Sequence, residues 1–155
     1  QHPEINFLAI DRVGKWMKKG ERRAVKSGLR HLLFLKADAR EVLRAHVPSE
    51  RVAVFHIYFP DPWPKRKHHK RRIVNADLLQ VLYERLSAGG VVYLATDDPD
   101  YRNAMRKAVT ESKLAWQVRE SLNERLNEDF DFKTNYELKF EAQGKTLYYL
   151  ELRKS

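Results

Sequence analysis

The chain of 155 residues contains no cysteine. This absence excludes a disulfide framework, a zinc site built on thiolates and a cysteine nucleophile. No apolar run approaches the roughly 20 residues of a transmembrane helix, so we expect no membrane partner. The first residues, Gln1-His2-Pro3-Glu4, do not resemble a signal peptide. Together these absences predict a cytoplasmic protein.

Acidic residues are the minority among the charged ones. The chain has 21 Asp and Glu against 30 Lys and Arg, which gives a net charge of +9. A basic balance of this size favours an anionic partner, with RNA or DNA ahead of a membrane surface. The length is that of one domain, and the hydrophobic fraction of 43% is ordinary for a folded protein.

Strand-like and helix-like segments alternate along the chain. Apolar runs predict strands at residues 5–10, 32–35, 52–59, 91–95, 116–120 and 147–152. Helices are predicted at residues 13–27, 39–45, 75–86, 101–112 and 134–143, with Gly28 after the first and Gly89-Gly90 separating the third from the next strand. This alternation indicates an α/β fold with a mostly parallel sheet, in which the last strand is expected to be antiparallel.

The segment Phe59-Pro60-Asp61-Pro62-Trp63-Pro64-Lys65 follows the third predicted strand directly. Pro60 and Pro62 lack an N–H, so the segment is not an ordinary interior strand. Pro62 also restricts Asp61 to an extended conformation. The carboxyl ends of strands are where open α/β sheets bind ligands, which favours a rigid binding loop. The alternative is a turn that only ends the strand and buries Trp63.

A dense basic run occupies residues 65–72, where six of eight residues are Lys or Arg and two are His. Such runs are usually solvated surface. Because this one adjoins the predicted ligand crevice, we expect it to bind phosphates of a nucleic acid. The expected phosphate contacts are Lys65, Arg66, Lys67, Lys70, Arg71 and Arg72. His68 and His69 are adjacent and point apart, with no third ligand evident, so we expect no metal site.

Four aspartates follow predicted strands, namely Asp11, Asp38, Asp61 and Asp97. Aspartate is common in loops and at helix starts, which accounts for any one of them alone. As a series they favour a shared crevice, since carboxylates at strand ends accept hydrogen bonds from ribose hydroxyls.

The proline-bracketed block, its basic continuation and later residues resemble the bacterial tRNA (guanine-N7-)-methyltransferase family. The resemblance rests on Phe59-Pro60-Asp61-Pro62-Trp63, Lys65, His68, Lys70-Arg71-Arg72, Gly89-Gly90, Ala95-Thr96-Asp97, Tyr101, Thr134-Asn135-Tyr136-Glu137, Phe140 and Gly144. It implies a class I, Rossmann-like fold that binds S-adenosylmethionine, and methyl transfer to N7 of guanine 46 in the variable loop of tRNA.

The resemblance also implies roles for individual residues. Asp11, Asp38 and Asp61 would contact the cofactor, and Asp61 would be catalytic. Substrate contacts would come from Lys65, Asp97, Thr134, Asn135, Tyr136 and Glu137.

One feature of the family has no counterpart in the sequence. Family members begin with a central strand and a glycine-rich loop, whereas the six glycines here form no such motif. We therefore expect residues 1–155 to be a methyltransferase domain that is incomplete at its N-terminus. The missing strand would lie between residues 5–10 and 52–59, and the gap would be closed by a separate N-terminal segment, by a swapped partner chain or by direct pairing in an altered sheet.

Two other functions fit the same residues. Asp61-Pro62-Trp63 is close to the Asp-Pro-Pro-aromatic loop of methyltransferases that act on exocyclic amino groups. A fragment without a glycine-rich loop is also compatible with a non-catalytic RNA-binding module. The sequence is compatible with a monomer or a homodimer.

Overall fold

The computed structural model describes residues 4–127 and 133–155. The chain divides into two compact units, Gln1–Val47 and Pro48–Ser155, and each is described by itself. No helix within the described ranges is both long enough and apolar enough to cross a membrane.

The first unit is a β-α-β-α segment. Its elements are β1 (Phe7–Asp11), α1 (Gly14–Lys26), β2 (Leu32–Lys36) and α2 (Ala39–His46). The two strands are parallel, with Phe7 opposite Leu32 and Asp11 opposite Lys36. The predicted strands and helices of this unit are thereby confirmed, and each boundary lies within two residues of its expected place.

Small residues let α1 approach β2 closely. A Cβ on Gly20 would lie 2.5 Å from the ring of Phe34, and Ala24 is buried on the same side of the helix. The helix ends at Lys26, and Gly28 follows with a φ of +67°, a conformation that glycine adopts without strain. The predicted role of Gly28 in ending this helix is confirmed.

The second unit is built on a four-stranded sheet. Its elements are β3 (Val52–Tyr58), a 3₁₀ helix (Arg66–Arg71), α3 (Ala76–Arg85), β4 (Leu86–Thr96), α4 (Pro99–Ser112), β5 (Trp116–Leu122), α5 (Asn135–Ala142) and β6 (Tyr148–Lys154). The strand order is β3-β4-β6-β5. Strands β3 and β4 are parallel, while β6 runs antiparallel to both of its neighbours, as expected for the last strand.

The predicted start of β4 was wrong. The glycine pair was expected to separate helix from strand, yet β4 begins at Leu86 and contains Gly89 and Gly90. Val52 pairs with Leu86 while Val54 pairs with Val91, so β4 carries extra residues in a bulge. The bulge needs glycine because Gly89 has a φ of +70° and a Cβ on Gly90 would lie 2.9 Å from the Ser87 carbonyl.

The core of this unit lies between the sheet and helices α3 and α4. Side chains that are at most 1% exposed include Leu78, Leu79, Leu82, Val92, Leu94, Tyr101, Met105, Leu150 and Leu152. Both helices begin at capping side chains. Asn75 accepts a hydrogen bond from the Leu78 amide at 3.0 Å, and Asp98 accepts one from the Tyr101 amide at 2.7 Å. The caps fix where each helix leaves the sheet, next to the carboxyl ends of β3 and β4.

The buried hydroxyl of Tyr101 provides a test of how α4 is joined to the segment before α3. This hydroxyl accepts a hydrogen bond from the Val74 amide at 3.1 Å. Tyr101→Phe leaves that buried N–H without its acceptor, so we expect a loss of about 1–3 kcal/mol in the free energy of unfolding, measured by urea denaturation. Tyr83→Phe removes a hydroxyl from a half-buried ring in the same unit and should change it by less than about 0.5 kcal/mol. Equal effects of the two changes would contradict this role of Tyr101.

Candidate functional site

The proline loop, residues 59–64, leaves the carboxyl end of β3 in a constrained conformation. The Phe59 amide donates to the Ala95 carbonyl at 2.8 Å, which continues the pairing of β3 with β4. Phe59 and Trp63 both have positive φ angles, +52° and +45°, which are uncommon for bulky side chains. Such strain persists only where surrounding contacts enforce it, and it is concentrated at functional sites.

Asp61 is exposed at the middle of this loop. Within residues 4–127 and 133–155, its carboxylate forms no hydrogen bond or ion pair. The carboxylate is therefore available to accept hydrogen bonds from a ligand. Its backbone is restrained on both sides by proline, so little conformational freedom remains to be lost on binding.

The side chain of Arg72 holds the proline loop in place through hydrogen bonds. Its Nε donates to the Pro62 carbonyl at 2.8 Å and its Nη2 to the Asp100 carboxylate at 2.6 Å. The guanidinium carbon lies 4.8 Å from the centre of the Tyr101 ring, and the residue is only 5% exposed. The hydrogen bond from Arg72 lowers the pKa of Asp100 below its ordinary value. Arg72 thus ties the loop to the first turn of α4.

Trp63 packs against the basic run, residues 65–72. Its ring meets that of His68 edge-on at 5.8 Å, and the Arg71 guanidinium lies 4.8 Å from the ring centre. Trp63 is half-buried in these contacts. This placement indicates that Trp63 supports the loop.

The basic run itself forms the 3₁₀ helix and its flanks. Five of its cations are exposed, namely Lys65, Arg66, Lys67, Lys70 and Arg71, whereas Arg72 is buried. His68 and His69 are half-buried. The run therefore divides into an exposed cationic surface and one cation that is engaged inside the fold.

Asp97 lies at the carboxyl end of β4, the same edge of the sheet as the proline loop. Its carboxylate forms an ion pair with the Lys145 ammonium at 2.5 Å. The same ammonium lies 4.3 Å from the centre of the Phe140 ring. Asp97 is thus a charge-balanced carboxylate, in contrast to Asp61. Sequence reasoning missed Lys145, because 48 residues separate the pair and no local pattern signals it.

Beside this pair lies an aromatic cluster of Phe59, Tyr136 and Phe140. Phe59 is 5.3 Å from Phe140 and 6.2 Å from Tyr136, and the last two rings are 5.9 Å apart. Tyr136 is 51% exposed. An exposed ring supported by two others provides a surface on which a nucleobase can stack.

Thr134 and Glu137 form the start of α5. The Thr134 hydroxyl accepts from the Glu137 amide at 3.2 Å, and the Glu137 carboxylate accepts from the Thr134 amide at 2.6 Å. This capping box follows from the Thr-x-x-Glu spacing. Asn135 and Tyr136, between them, are exposed. The motif therefore holds the helix start and presents its two middle residues to solvent.

Glu137 is 1% exposed, and its carboxylate contacts two other side chains. Arg125 Nε lies 3.0 Å away and the Tyr149 hydroxyl donates to it at 3.0 Å. Burial and this hydrogen bond raise the pKa of Tyr149 well above its usual range. Removing one member of such a network leaves an unpaired buried charge. Arg125 was not identified from the sequence, which carries no motif around it.

Asp11 and Asp38 both belong to the first unit, at the carboxyl ends of β1 and β2. Asp11 accepts a hydrogen bond from the Val13 amide at 2.6 Å, and Asp38 caps α2 by accepting one from the Arg40 amide at 2.9 Å. Because Asp11 pairs with Lys36 in register, the two aspartates share one edge of the strand pair. Two of the four aspartates that the sequence analysis grouped therefore lie at the carboxyl ends of neighbouring strands.

Comparison with known proteins gives consistent results. Residues 1–150 match the family described as "Putative methyltransferase". The chain is 42% identical over 101 residues to a tRNA (guanine-N(7)-)-methyltransferase of Nitrosomonas eutropha, covering 65% of this chain and 45% of that protein. It is 31% identical over 153 residues to one of Syntrophotalea carbinolica, covering 99% of this chain and 66% of that protein. The chain thus spans about half to two thirds of the length of these relatives.

A solved SAM-dependent O-methyltransferase of Thermotoga maritima has a similar fold. The TM-score is 0.59 at 15% identity, over 96% of this chain and 49% of that chain. The predicted class I methyltransferase fold is confirmed by this likeness, which concerns the fold alone.

The first unit suits part of S-adenosylmethionine, the cofactor that this fold implies. Within the described residues, no hydrogen bond occupies the second carboxylate oxygen of Asp11. The second oxygen of Asp38 lies 3.9 Å from the exposed Arg12 guanidinium. Carboxylates at strand ends accept from ribose hydroxyls and amino groups. Each of the two aspartates therefore keeps one carboxylate oxygen that could accept a hydrogen bond from the cofactor.

The contacts of Arg72 predict an effect on stability that the rest of the basic run does not share. Arg72→Met removes the donors to Pro62 and Asp100, so we expect a loss of about 1.5–3 kcal/mol in the free energy of unfolding, measured by urea denaturation at pH 7. Folding lowers the pKa of Asp100. The stabilisation from its ion pair with Arg72 is therefore fully present at a pH above the ordinary pKa of a carboxyl group, and it is lost as the pH falls through the lowered pKa. Arg66→Met, in the exposed part of the run, is the control and should be near neutral. A near-neutral Arg72→Met would contradict the structural role.

Proposed function

Because the chain belongs to the methyltransferase family that contains the curated tRNA (guanine-N(7)-)-methyltransferases, we propose that the protein methylates guanine N7 in tRNA with S-adenosylmethionine. The observation that carries the proposal is the exposed Asp61 carboxylate, which has no hydrogen-bond or ion-pair partner among the described residues and belongs to a loop held in place by Arg72. The finer assignment, guanine 46 in the variable loop, is supported by the resemblance in sequence.

The chemistry places few demands on the protein beyond alignment. Guanine N7 has a lone pair and carries no proton, so no general base is needed at that atom. When bound, S-adenosylmethionine supplies an electrophilic methyl group. Holding a nucleophile in line is worth up to roughly 7–11 kcal/mol in favourable cases, so positioning is sufficient as the main source of acceleration. The residues of this chain are therefore assigned to binding, orienting and charge stabilisation.

Asp61 is assigned to stabilising the transition state. As N7 is alkylated, the purine gains positive charge and its N1–H and N2 amino groups become stronger donors. A carboxylate that accepts from them binds the transition state more tightly than the ground state. Asp61 suits this role because no cation neutralises it among the described residues, whereas Asp97 already pairs with Lys145.

The neighbouring groups are assigned to holding the substrate. Tyr136, supported by Phe59 and Phe140, offers a ring on which a base can stack. Asn135 is exposed beside it and provides both a donor and an acceptor. Asp97 and Lys145 lie next to this cluster and are assigned to orienting the nucleotide. Thr134 and Glu137 act through the start of α5, which sets the direction of the two exposed residues between them.

The phosphate-binding role is assigned to the exposed part of the basic run. Lys65, Arg66, Lys67, Lys70 and Arg71 present their charges to solvent within a few residues of the proline loop. Arg72 differs, because its guanidinium is already bonded to Pro62 and Asp100. We assign it the indirect role of fixing the loop.

Asp61→Asn provides the direct test of the proposed chemistry. The change keeps the size but removes the charge and one acceptor, so the rate of methyl transfer to a tRNA transcript should fall by at least about tenfold, a loss of roughly 1.4 kcal/mol in transition-state stabilisation. The affinity for the transcript should change by less than threefold. Digestion of the product and mass spectrometry should identify 7-methylguanosine.

The matched control is Glu111→Gln, a carboxylate at the end of α4 whose i,i+4 pair with Lys107 is exposed. It should leave the rate unchanged. Equal losses in rate and affinity for Asp61→Asn would make Asp61 a binding residue only. A methylated exocyclic amino group in the product would show that the exocyclic nitrogen is the acceptor in place of N7. A folded wild-type protein that binds both S-adenosylmethionine and the transcript but forms no methylated nucleoside would overturn the proposal.

The exposed basic run predicts a change in salt dependence. Lys67→Gln/Lys70→Gln should remove two phosphate contacts, so the slope of log affinity for tRNA against log salt should become shallower by about 1.4–1.8. Arg51→Gln/Lys113→Gln neutralises two exposed cations at the other end of the sheet and serves as the control. An equal change of slope in both variants would mean that only the overall charge matters and that the run makes no specific contact.

A further inference from the structure

The first unit carries most of the net positive charge of the chain. Residues 1–47 contain eleven Lys or Arg and five Asp or Glu, which leaves +6 of the total of +9. Six of these cations lie on α1, which has no acid in its first turn and Glu21 as its one acid. None of the six belongs to the proline loop or the basic run.

The six cations occupy one side of α1, here called the basic face: Lys15, Lys18, Lys19, Arg22, Arg23 and Lys26. Their spacing of three, four, seven, eight and eleven residues from the first places them on one stripe of a helix. The stripe is about 16 Å long at 1.5 Å per residue. All six are exposed. Their side chains enclose a shallow depression to which no other residue contributes within the described chain.

Packing on the opposite side of α1 determines which way the basic face points. Gly20 and Ala24 lie on the side of the helix that meets β2, where Phe34 leaves no space for a larger side chain. The basic face therefore points away from the strands of its own unit. Within the described residues, none of its six side chains forms a salt bridge.

An exposed tryptophan borders the basic face. Trp16 is 51% exposed, and the ammonium groups of Lys15 and Lys19 lie 5.9 and 5.8 Å from its ring centre. Cations interleaved with an aromatic ring are suited to a nucleic-acid backbone and its bases. A helix that binds a membrane needs a free apolar side opposite its charges. Here that side is used by the contact with β2.

We propose that the basic face of α1 is a second RNA-binding surface, which contacts phosphates of the tRNA independently of the basic run. The proposal rests on the proposed function only for the choice of tRNA as the ligand. Because the contacts are with phosphates, they contribute affinity and depend on salt without selecting a base.

The test compares Lys18→Gln/Arg22→Gln with the charge-matched control Arg51→Gln/Lys113→Gln in the intact protein. The probe is an unmodified tRNA transcript, and its affinity is measured by fluorescence anisotropy between about 50 and 300 mM salt. The α1 variant should bind more weakly, and its slope should be shallower than that of the wild type by about 1.4–1.8. The control should keep the wild-type slope. Both variants should melt as the wild type does, since the substituted side chains are exposed.

Identical slopes for the α1 variant and the control would overturn the proposal. Unchanged tRNA binding with lost binding to phosphatidylglycerol vesicles would overturn it in favour of a membrane surface. The outcome is separable from that of the proposed function. An α1-dependent slope in a protein that makes no 7-methylguanosine supports the surface alone, whereas methylation with no effect of α1 supports the proposed function alone.

Discussion

The buried guanidinium of Arg72 is the interaction on which the candidate site depends. It connects two segments that are distant in sequence, namely the proline loop, through the Pro62 carbonyl, and the first turn of α4, through Asp100 and the ring of Tyr101. The loop contains two residues with positive φ angles, which raise its energy. A planar group with several donors is suited to holding such a loop, because it satisfies a carbonyl and a carboxylate at once. The exposure of Asp61 follows from this restraint.

Three carboxylates of the second unit differ in how deeply they are buried and in how fully they are paired. Glu137 is buried and bonded to Arg125, Tyr149 and a backbone amide. Asp97 is half-buried and paired with Lys145, while Asp61 is exposed and has no partner in the described structure. A carboxylate already neutralised gains less when positive charge develops beside it. Under the proposed function, these environments match the roles assigned to the three residues: Glu137 shapes the site, Asp97 orients the nucleotide and Asp61 stabilises the charge of the reacting base.

The order of strands and helices was predictable because apolar runs, caps and turn residues act locally. Gly28 and the capping residues Asn75 and Thr134 have sequence signatures that operate within four residues. The start of β4 was not predictable, since the glycine pair serves a bulge that depends on pairing with β3. The burial of Arg72 was also not predictable from the sequence. A continuous run of basic residues has no periodicity that shows which of its side chains is buried. Lys145 and Arg125 were missed because their partners lie far along the chain.

Pairing decides which of the many cations remain available for an anionic ligand. In the second unit, several cations form ion pairs within the fold. These pairs are Arg72 with Asp100, Arg102 and Arg106 with Glu120, and Arg125 with Glu137. The exposed part of the basic run and the basic face of α1 are different, since each concentrates several cations with few acids nearby. The two charges of an ion pair largely cancel each other's field, whereas a cluster of like charges produces a field that a polyanion senses within the Debye length of about 8–10 Å. The net charge of the chain thus understates how strongly these two short segments can attract RNA.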